Sequence, residues 1–413
     1  MAHDSEVLRI GIVGGSIAGC TAAIELSRAG HRVTVFERSA GELTGRGAGI
    51  ATPRGIVTSM AGRDLIDATM PYFPVEAITY VGQSDSDARM GHTAWAAPLD
   101  IAVLNWGDLY RNLRRRVPDG VYQQGQEVTD ARMSDAHTAV IRLGDGSEHE
   151  LDLVLFADGY RSLGRQLLFP DADVRYRGYV LWRGVLEESR LDDSAPMDKR
   201  LYRVGYPDGH CVFYFVPGHN GSVASGQRWV NWACYVRVPA GELDRFLTDR
   251  FGRQRTGSLP PGNMRLEDET RLKDHVRAHL PSYFAAMVDM SQDTFVQPIF
   301  TSDVSAYRKE RICLLGDAGA FVQPFTGTGV FKGMNNAMDL GKALAGKAGA
   351  DVDAALESWS VQQTRTGKLL AVMGERLEQA LIWSTPDFGQ MDENATRAWW
   401  VDANRIPPEL MPR

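Results

Sequence analysis

Apolar and polar positions along the chain follow two different rhythms. Residues 8–13 (LRIGIV) form a short, nearly continuous apolar run, as a parallel strand buried on both faces requires. A Gly-Gly-Ser turn follows, then a stretch from Ile17 to about Ala29 that places Ala22, Ala23, Leu26 and Ala29 on helical core faces and is stopped by Gly30. Residues 32–36 (RVTVF) read as a second strand ending at Glu37, and buried-strand runs return at residues 151–157 (LDLVLFA) and 311–315 (RICLL). Between about 175 and 297 the pattern changes to short alternating stretches, 179–186, 200–206, 211–217 and 229–238, joined by Gly- and Pro-rich loops. These predict an antiparallel or mixed sheet. A shorter excursion over about 72–105 carries one more strand, at 77–83. From about residue 351 an amphipathic helix runs through Leu356, Trp359, Met373, Leu377 and Leu381, followed by a less regular stretch with Trp383, Trp399 and Trp400.

Composition narrows the class. At 413 residues the chain exceeds one ordinary core, and 44% hydrophobic with 23% charged residues describes a globular protein. With 45 Lys+Arg against 52 Asp+Glu the net charge is −7 and no basic block occurs, which argues against nucleic acid or an anionic membrane as partner. No apolar run reaches the ~18 residues a membrane span needs, and the N-terminus lacks a secretory pattern, so a cytoplasmic location is expected. Cys20, Cys211, Cys234 and Cys313 form no C-x-x-C pair and are expected to be buried small hydrophobes rather than disulfides or a zinc site. His275 and His279 stand at i, i+4 without a following glutamate, on a helix expected to be solvated, and no metal is expected.

The first strand, helix and second strand make a βαβ unit whose turn, Gly14-Gly15-Ser16-Ile17-Ala18-Gly19, is a G-x-S-x-x-G form of the dinucleotide fingerprint. Gly14 permits the tight turn and Gly19 the close approach of helix to sheet. Ser16 is small enough for a phosphate to approach and adds a hydroxyl. The helix N-terminus at Ile17–Ala18 offers N–H groups to a pyrophosphate. Glu37, 18 residues past Gly19, can accept from ribose hydroxyls and disfavours a 2′-phosphate, so the site suits FAD or NAD better than NADP.

Two later motifs extend the pattern. Asp158-Gly159, with Ser162 and Arg165, follows the strand at 151–157. Gly316-Asp317 follows the strand at 311–315 and leads to Pro324, Gly327 and Gly329 before a helical run through Met334, Ala337, Leu340 and Leu344. With Gly14–Gly19, Glu37 and the segment Arg46–Ile50, these features span most of residues 8–345. In this combination the chain resembles the FAD-dependent aromatic hydroxylases, single-component flavoprotein monooxygenases of the para-hydroxybenzoate hydroxylase type, and within them the dihydroxypyridine hydroxylase branch.

The resemblance implies an α/β architecture: a Rossmann-like FAD-binding domain in three parts (1–71, 106–174, 298–350), an inserted mixed β-sheet substrate domain (72–105, 175–297) and a C-terminal helical segment (351–413). It implies FAD as cofactor, NADPH or NADH as co-substrate and O2 as oxidant, with hydroxylation of a small aromatic or heteroaromatic molecule through a flavin C4a-hydroperoxide. Glu37, with Arg38 beside it, would hold the adenosine ribose. Arg46 would lie along the cofactor and Val128 beside it. Asp158 would contact FAD and NAD(P)H, and Asp317 the ribityl chain. Pro324 would flank the flavin ring, with the Gly327–Val330 segment at its pyrimidine end. Two positions depart from the family pattern: Ala320, where a histidine is frequent, and Trp106, where an arginine is expected. Epoxidation of an indole or olefin in secondary metabolism and Baeyer–Villiger oxidation are rival outcomes of the same chemistry, and a non-catalytic FAD-binding paralogue is the rival outside it. The halogenase Trp-x-Trp-x-Ile-Pro run is absent.

On the substrate side, alternation puts Cys211, Phe213 and Phe215 on one face of their strand and Val212, Tyr214 and Val216 on the other. Tyr179, Arg183 and Tyr206 are expected as polar groups of the pocket, with Phe213, Phe215 and Pro324 as apolar lining. No catalytic base is assigned. His210 is the single histidine considered for that role. The C-terminal segment is expected to pack over the cofactor domain or to form a homodimer contact.

Overall fold

The computed structural model describes residues 7–41, 43, 49–84 and 88–406. Its first layer is a six-stranded sheet in the spatial order Arg308–Lys309, Ile312–Leu314, Leu153–Phe156, Arg9–Val13, Arg32–Glu37, Tyr122–Gln124. All pairings are parallel except the two-residue edge strand at Arg308. Ile10, Ile12, Leu153, Val154, Leu155 and Phe156 have no exposed surface, which is why these stretches read as apolar runs rather than alternating ones. The helices Ile17–Arg28 and Gly329–Leu344 pack on one another against this sheet.

The second layer is an eight-stranded sheet in the order Phe295–Thr301, Arg175–Glu187, Trp229–Arg237, Gly209–Val216, Arg200–Tyr206, Phe73–Gly82, His92–Asn105, Gly49–Pro53. It is mixed, because Arg200–Tyr206 runs parallel to Phe73–Gly82 while the other pairs are antiparallel. Its edge strand Gly49–Pro53 precedes the 72–105 excursion in sequence. The helices Leu266–His279 and Ser282–Met290 cover one face, burying Trp182, Phe213, Phe215, Trp232 and Phe284. The other face looks toward the first sheet.

The long helix Ala350–Glu378 runs into a π turn, Gln379–Trp383, and the helix Glu393–Ala403 closes the chain. Phe388, Trp399 and Trp400 gather around Tyr80 at ring separations of 5.5, 6.0 and 5.6 Å, so the tail packs on the second sheet at its strand Phe73–Gly82. No helix among the described residues is long and apolar enough to cross a membrane.

One expectation is overturned here. Cys211 and Cys234 form a disulfide with Cα atoms 4.1 Å apart, because the hairpin register sets them directly opposite one another. They stand 23 positions apart in sequence, and no spacing rule anticipates a register fixed by so long a connection. Cys20 and Cys313 are free and buried, as expected, and burial pushes both thiols up to about 12. No group of metal-holding side chains occurs among the described residues. His275 and His279 instead pack their rings 4.4 Å apart beside Tyr206.

Candidate cofactor and substrate site

A cleft of about 790 Å³ opens at the carboxyl ends of the central parallel strands, between the two sheets. Gly14 turns the chain out of the first strand with φ +98°, and a Cβ there would stand 2.6 Å from the Ala157 carbonyl oxygen. At Gly19 a Cβ would lie 1.9 Å from the Gly14 oxygen, so the helix can approach only as glycine allows. Ser16 caps this helix without a side-chain hydrogen bond, leaving the first-turn amides of Ile17 and Ala18 directed at the cleft they line.

Glu37 is 6% exposed, with Oε2 accepting from the Gly15 amide at 2.9 Å and Oε1 from the Ser39 amide at 2.8 Å. Its carboxylate is thereby oriented while each oxygen keeps a lone pair for a ribose hydroxyl. Arg38, Trp106, Gln126, Glu127, Val128 and Thr129 surround that end of the cleft. Trp106 stacks on Tyr110 at 5.6 Å, a flat apolar wall in place of the expected arginine.

Asp158 accepts from the Leu163 amide through Oδ2 at 2.7 Å, and Ser162 Oγ from the Arg165 amide at 3.0 Å, so the motif starts a helix. Asp158 also lines the cleft, its Oδ1 is buried without a hydrogen-bond partner among the described residues, and burial pushes its carboxyl above the ordinary range. Gly316 and Asp317 line the opposite wall with Gly329, Val330 and Gly333. Pro324 and Gly327 stand exposed on the turn leading into the helix at Gly329, on the rim rather than the wall. Thr328 caps that helix without a side-chain bond, so a second set of first-turn amides opens toward the cleft. Two uncapped helix N-termini, an oriented buried carboxylate near one and Asp317 near the other fit an elongated dinucleotide with an anionic centre. Arg46 lies outside the described residues.

The sheet face above the cleft carries Leu181, Arg183, Val212, Tyr214, Asn231, Ala233 and Tyr235, with Phe325 from the rim and Ile382 from the π turn. Arg183 lines the cleft, donates to the Gly49 carbonyl at 3.4 Å and lies 5.7 Å from the Phe295 ring centre. Asn231 Oδ1 accepts from the Gly49 amide at 3.3 Å, and Tyr214 donates to its carbonyl at 3.4 Å. Arg183 Nε and Asn231 Nδ2 are buried donors with no partner among the described residues.

Other expected pocket residues lie elsewhere. Phe213 and Phe215 face the helix-covered side, Phe213 packing on Phe284 at 5.0 Å and Phe215 on Phe73 at 5.6 Å. Tyr206 is buried beside His275 and donates to the Tyr235 carbonyl. Alternation separates the two faces of a strand but cannot say which one the helices cover. Tyr179 is on the cleft side, yet its hydroxyl turns away to Glu378 at 3.3 Å.

His210 is fully buried on the cleft-side face, its ring stacked 4.5 Å from that of Tyr235. Its Nδ1 lies 3.1 Å from the Leu381 carbonyl, which makes Nδ1 the protonated nitrogen and leaves Nε2 as an acceptor, without a partner among the described residues. Burial, reinforced by Arg203, holds the ring well below the ordinary histidine range, hence neutral.

Sequence reasoning passed over Gln297 and Trp106 as cleft lining, and Glu378 altogether. Glu378 is 2% exposed and accepts from Arg177, Tyr179, Gln323 at 2.7 Å and Trp383 at 2.9 Å. It thereby ties the last turn of the long helix to the residue preceding Pro324. Nothing in a single sequence marks a carboxylate whose partners are scattered over two hundred positions.

Comparison with known proteins agrees with this geometry. Residues 12–62 match a family described as NAD(P)-binding Rossmann-like domain, residues 176–301 one described as FAD binding domain-like, and residues 259–370 one described as FAD binding domain. The chain is 29% identical to 2,6-dihydroxypyridine 3-monooxygenase of Paenarthrobacter nicotinovorans, over 87% of this chain and 88% of that one. It is 26% identical to salicylate hydroxylase of Pseudomonas putida, over 83% and 79%. The solved structure of 2,6-dihydroxypyridine-3-hydroxylase from Arthrobacter nicotinovorans superposes with a TM-score of 0.85 at 25% identity, covering 99% of this chain and all of that one. In sequence and in fold the chain is similar to the FAD-dependent aromatic hydroxylases, and it is an FAD-dependent monooxygenase.

Proposed function

We propose that this enzyme hydroxylates a small, flat aromatic or heteroaromatic ring that carries a hydroxyl group, using NAD(P)H and O2, and that it does so in the cytoplasm. FAD bound in the cleft would supply the redox chemistry, hydride acceptance from NAD(P)H and activation of dioxygen. One observation carries the substrate class: a neutral His210 on the apolar cleft-side face of the sheet, presenting Nε2 without a partner among the described residues. That nitrogen accepts the hydrogen of a ring hydroxyl, which raises electron density on the ring for electrophilic attack.

Leu181, Val212, Tyr235 and Phe325 form an apolar cluster on this face that excludes water, and Tyr235 and Phe325 contribute its flat rings. Arg183 Nε and Asn231 Nδ2 are donors for an oxygen acceptor on the substrate, such as a ring carbonyl or a carboxylate. Bound FAD would be held by the Ile17–Ala18 amides at its pyrophosphate, by Glu37 at the adenosine ribose and by Asp317 at the ribityl chain. The Gly329–Val330 amides would stabilise negative charge at its pyrimidine end. The relatives named above, a 2,6-dihydroxypyridine 3-monooxygenase and a salicylate hydroxylase, are consistent with this class of ring.

The test is anaerobic bleaching of the bound flavin, followed near its absorption at roughly 450 nm. NADH and NADPH are each tried with and without a panel of phenols, hydroxypyridines and indoles. Acceleration by hydroxylated rings, followed by hydroxylated product once oxygen is admitted, supports the proposal. Acceleration by indoles alone, or oxygenation by epoxide formation, overturns the substrate class.

A further inference from the structure

The Gly316–Ala320 turn is gripped from two sides by buried cations. From one side Arg165, 2% exposed, donates through Nη1 to the carbonyls of Asp317 at 3.1 Å and Ala318 at 3.2 Å, and through Nη2 to the Tyr160 carbonyl. From the other comes Lys332, the fourth residue of the helix Gly329–Leu344, with a side chain only 2% exposed. Its Nζ lies 3.1 Å from Asp317 Oδ1 and donates to the Ala320 carbonyl as well. Asp317 itself is 34% exposed and lines the cleft, and so does Gly333, the neighbour of Lys332. An ammonium is not buried to this depth without an anion to hold it. Here the anion is the carboxylate assigned to the cofactor's ribityl chain.

We propose that Lys332 sets the charge at the ribityl–pyrimidine end of the cleft: it neutralises Asp317, fixes the direction of its carboxylate, and so lets the site accept the negative charge that two-electron reduction adds to the cofactor. This rests on the placement of FAD given above. Lys332 is a positioning and charge-setting residue, acting through Asp317 and through its field, and no reacting atom needs to touch it. With Lys332 in place, Asp317 contributes a hydrogen-bond acceptor without a net charge. Without Lys332 the same carboxylate repels a reduced flavin, and the Ala320 carbonyl loses its donor.

The sign of the effect distinguishes a charge role from mere damage. K332M leaves Asp317 as an uncompensated anion and is expected to weaken FAD binding to the apoprotein. The reduced cofactor is expected to suffer about tenfold more than the oxidised one, which for a two-electron couple lowers the midpoint potential by about 30 mV. D317N leaves the ammonium unopposed and is expected to move the potential upward. The double variant K332M/D317N removes both charges and is expected to return toward the parent potential, a non-additivity that independent defects do not show.

FAD affinity by quenching of its fluorescence, and midpoint potential by dye-coupled reductive titration, read all three. Single variants that shift the potential in the same direction, or leave it where the parent has it, overturn the proposal. If K332M does not fold, the upward shift in D317N and its cancellation in the double variant still decide the matter. A parent protein that fails to bind FAD would instead count against the placement of the cofactor, a different outcome from a loaded protein with an unmoved potential.

Discussion

Replacing Glu378 by glutamine is ordinarily a mild change, since the amide keeps the volume and one carbonyl oxygen. Here every partner of the carboxylate is a donor: Arg177 Nε at 3.2 and 3.0 Å, Arg177 Nη2 at 2.9 Å, Tyr179 Oη at 3.3 Å, Gln323 Nε2 at 2.7 Å and Trp383 Nε1 at 2.9 Å. An amide must turn its NH2 group toward some of them, and whichever way it flips, donor meets donor. The ion pair is also lost, leaving the Arg177 guanidinium, 20% exposed, without the buried half of its partnership. Breaking a buried pair from one side costs about 3–5 kcal/mol, and the partial exposure of Arg177 places E378Q near the lower end, ~3 kcal/mol. Unfolding entropy of ~2.1 cal/mol/K per residue over 413 residues makes this a drop of roughly 3–4 °C in Tm. Differential scanning calorimetry of the apoprotein measures it, and the FAD dissociation constant measures how far the damage reaches Gln323 and the turn at Pro324. An E378Q protein that melts within about 1 °C of the parent and binds FAD equally well refutes the reasoning.

Two further outcomes follow from the same physical chemistry. Thiol titration of unfolded, unreduced protein is expected to find Cys20 and Cys313 alone, and all four cysteines after reduction; C211S/C234S, which opens a loop of 23 residues, should cost about 3 kcal/mol, and finding four thiols without reductant would contradict the bridge. His210 stays neutral in the fold while its unfolded form takes up a proton below about pH 6.5, so stability should fall with acidification from that point, by up to ~1.4 kcal/mol per pH unit. H210Q should flatten that slope between pH 6.5 and 5 and slow hydroxylation without slowing flavin reduction; an unchanged slope removes the case for a buried neutral ring.

The sequence discloses the cofactor half of the molecule because local chemistry dictates it. A parallel strand, a turn that must be glycine at Gly14, a helix that must approach at Gly19 and an acid at Glu37 all follow one another within thirty residues, and the structure brings them to one cleft. Asp158 and Asp317 were legible for the same reason, each at the end of a buried strand. The substrate half resists such reading. Its alternation locates strands, but the choice of inner face belongs to the helices Leu266–His279 and Ser282–Met290, distant in sequence, so Phe213 and Phe215 went to the wrong side. The pairing of Cys211 with Cys234 was hidden by the same dependence on register. Lys332 and Glu378 act through tertiary partners alone, and His210 gained its role only when Leu381 fixed its tautomer.

The strand order has a consequence for how the protein is made. The strand Arg9–Val13 sits in the middle of its sheet, but its neighbour Leu153–Phe156 and the next strand out, Ile312–Leu314, emerge from the ribosome far later. Glu378, which fastens the turn at Pro324, lies 378 − 14 = 364 residues beyond Gly14. At about 5–20 residues per second, roughly 20–70 s separate the synthesis of the first phosphate-binding turn from that of the last residue that anchors the site. For much of that time an apolar strand waits with an unpaired edge, a template for aggregation. The complete cofactor cleft therefore exists only once nearly the whole chain has been synthesised.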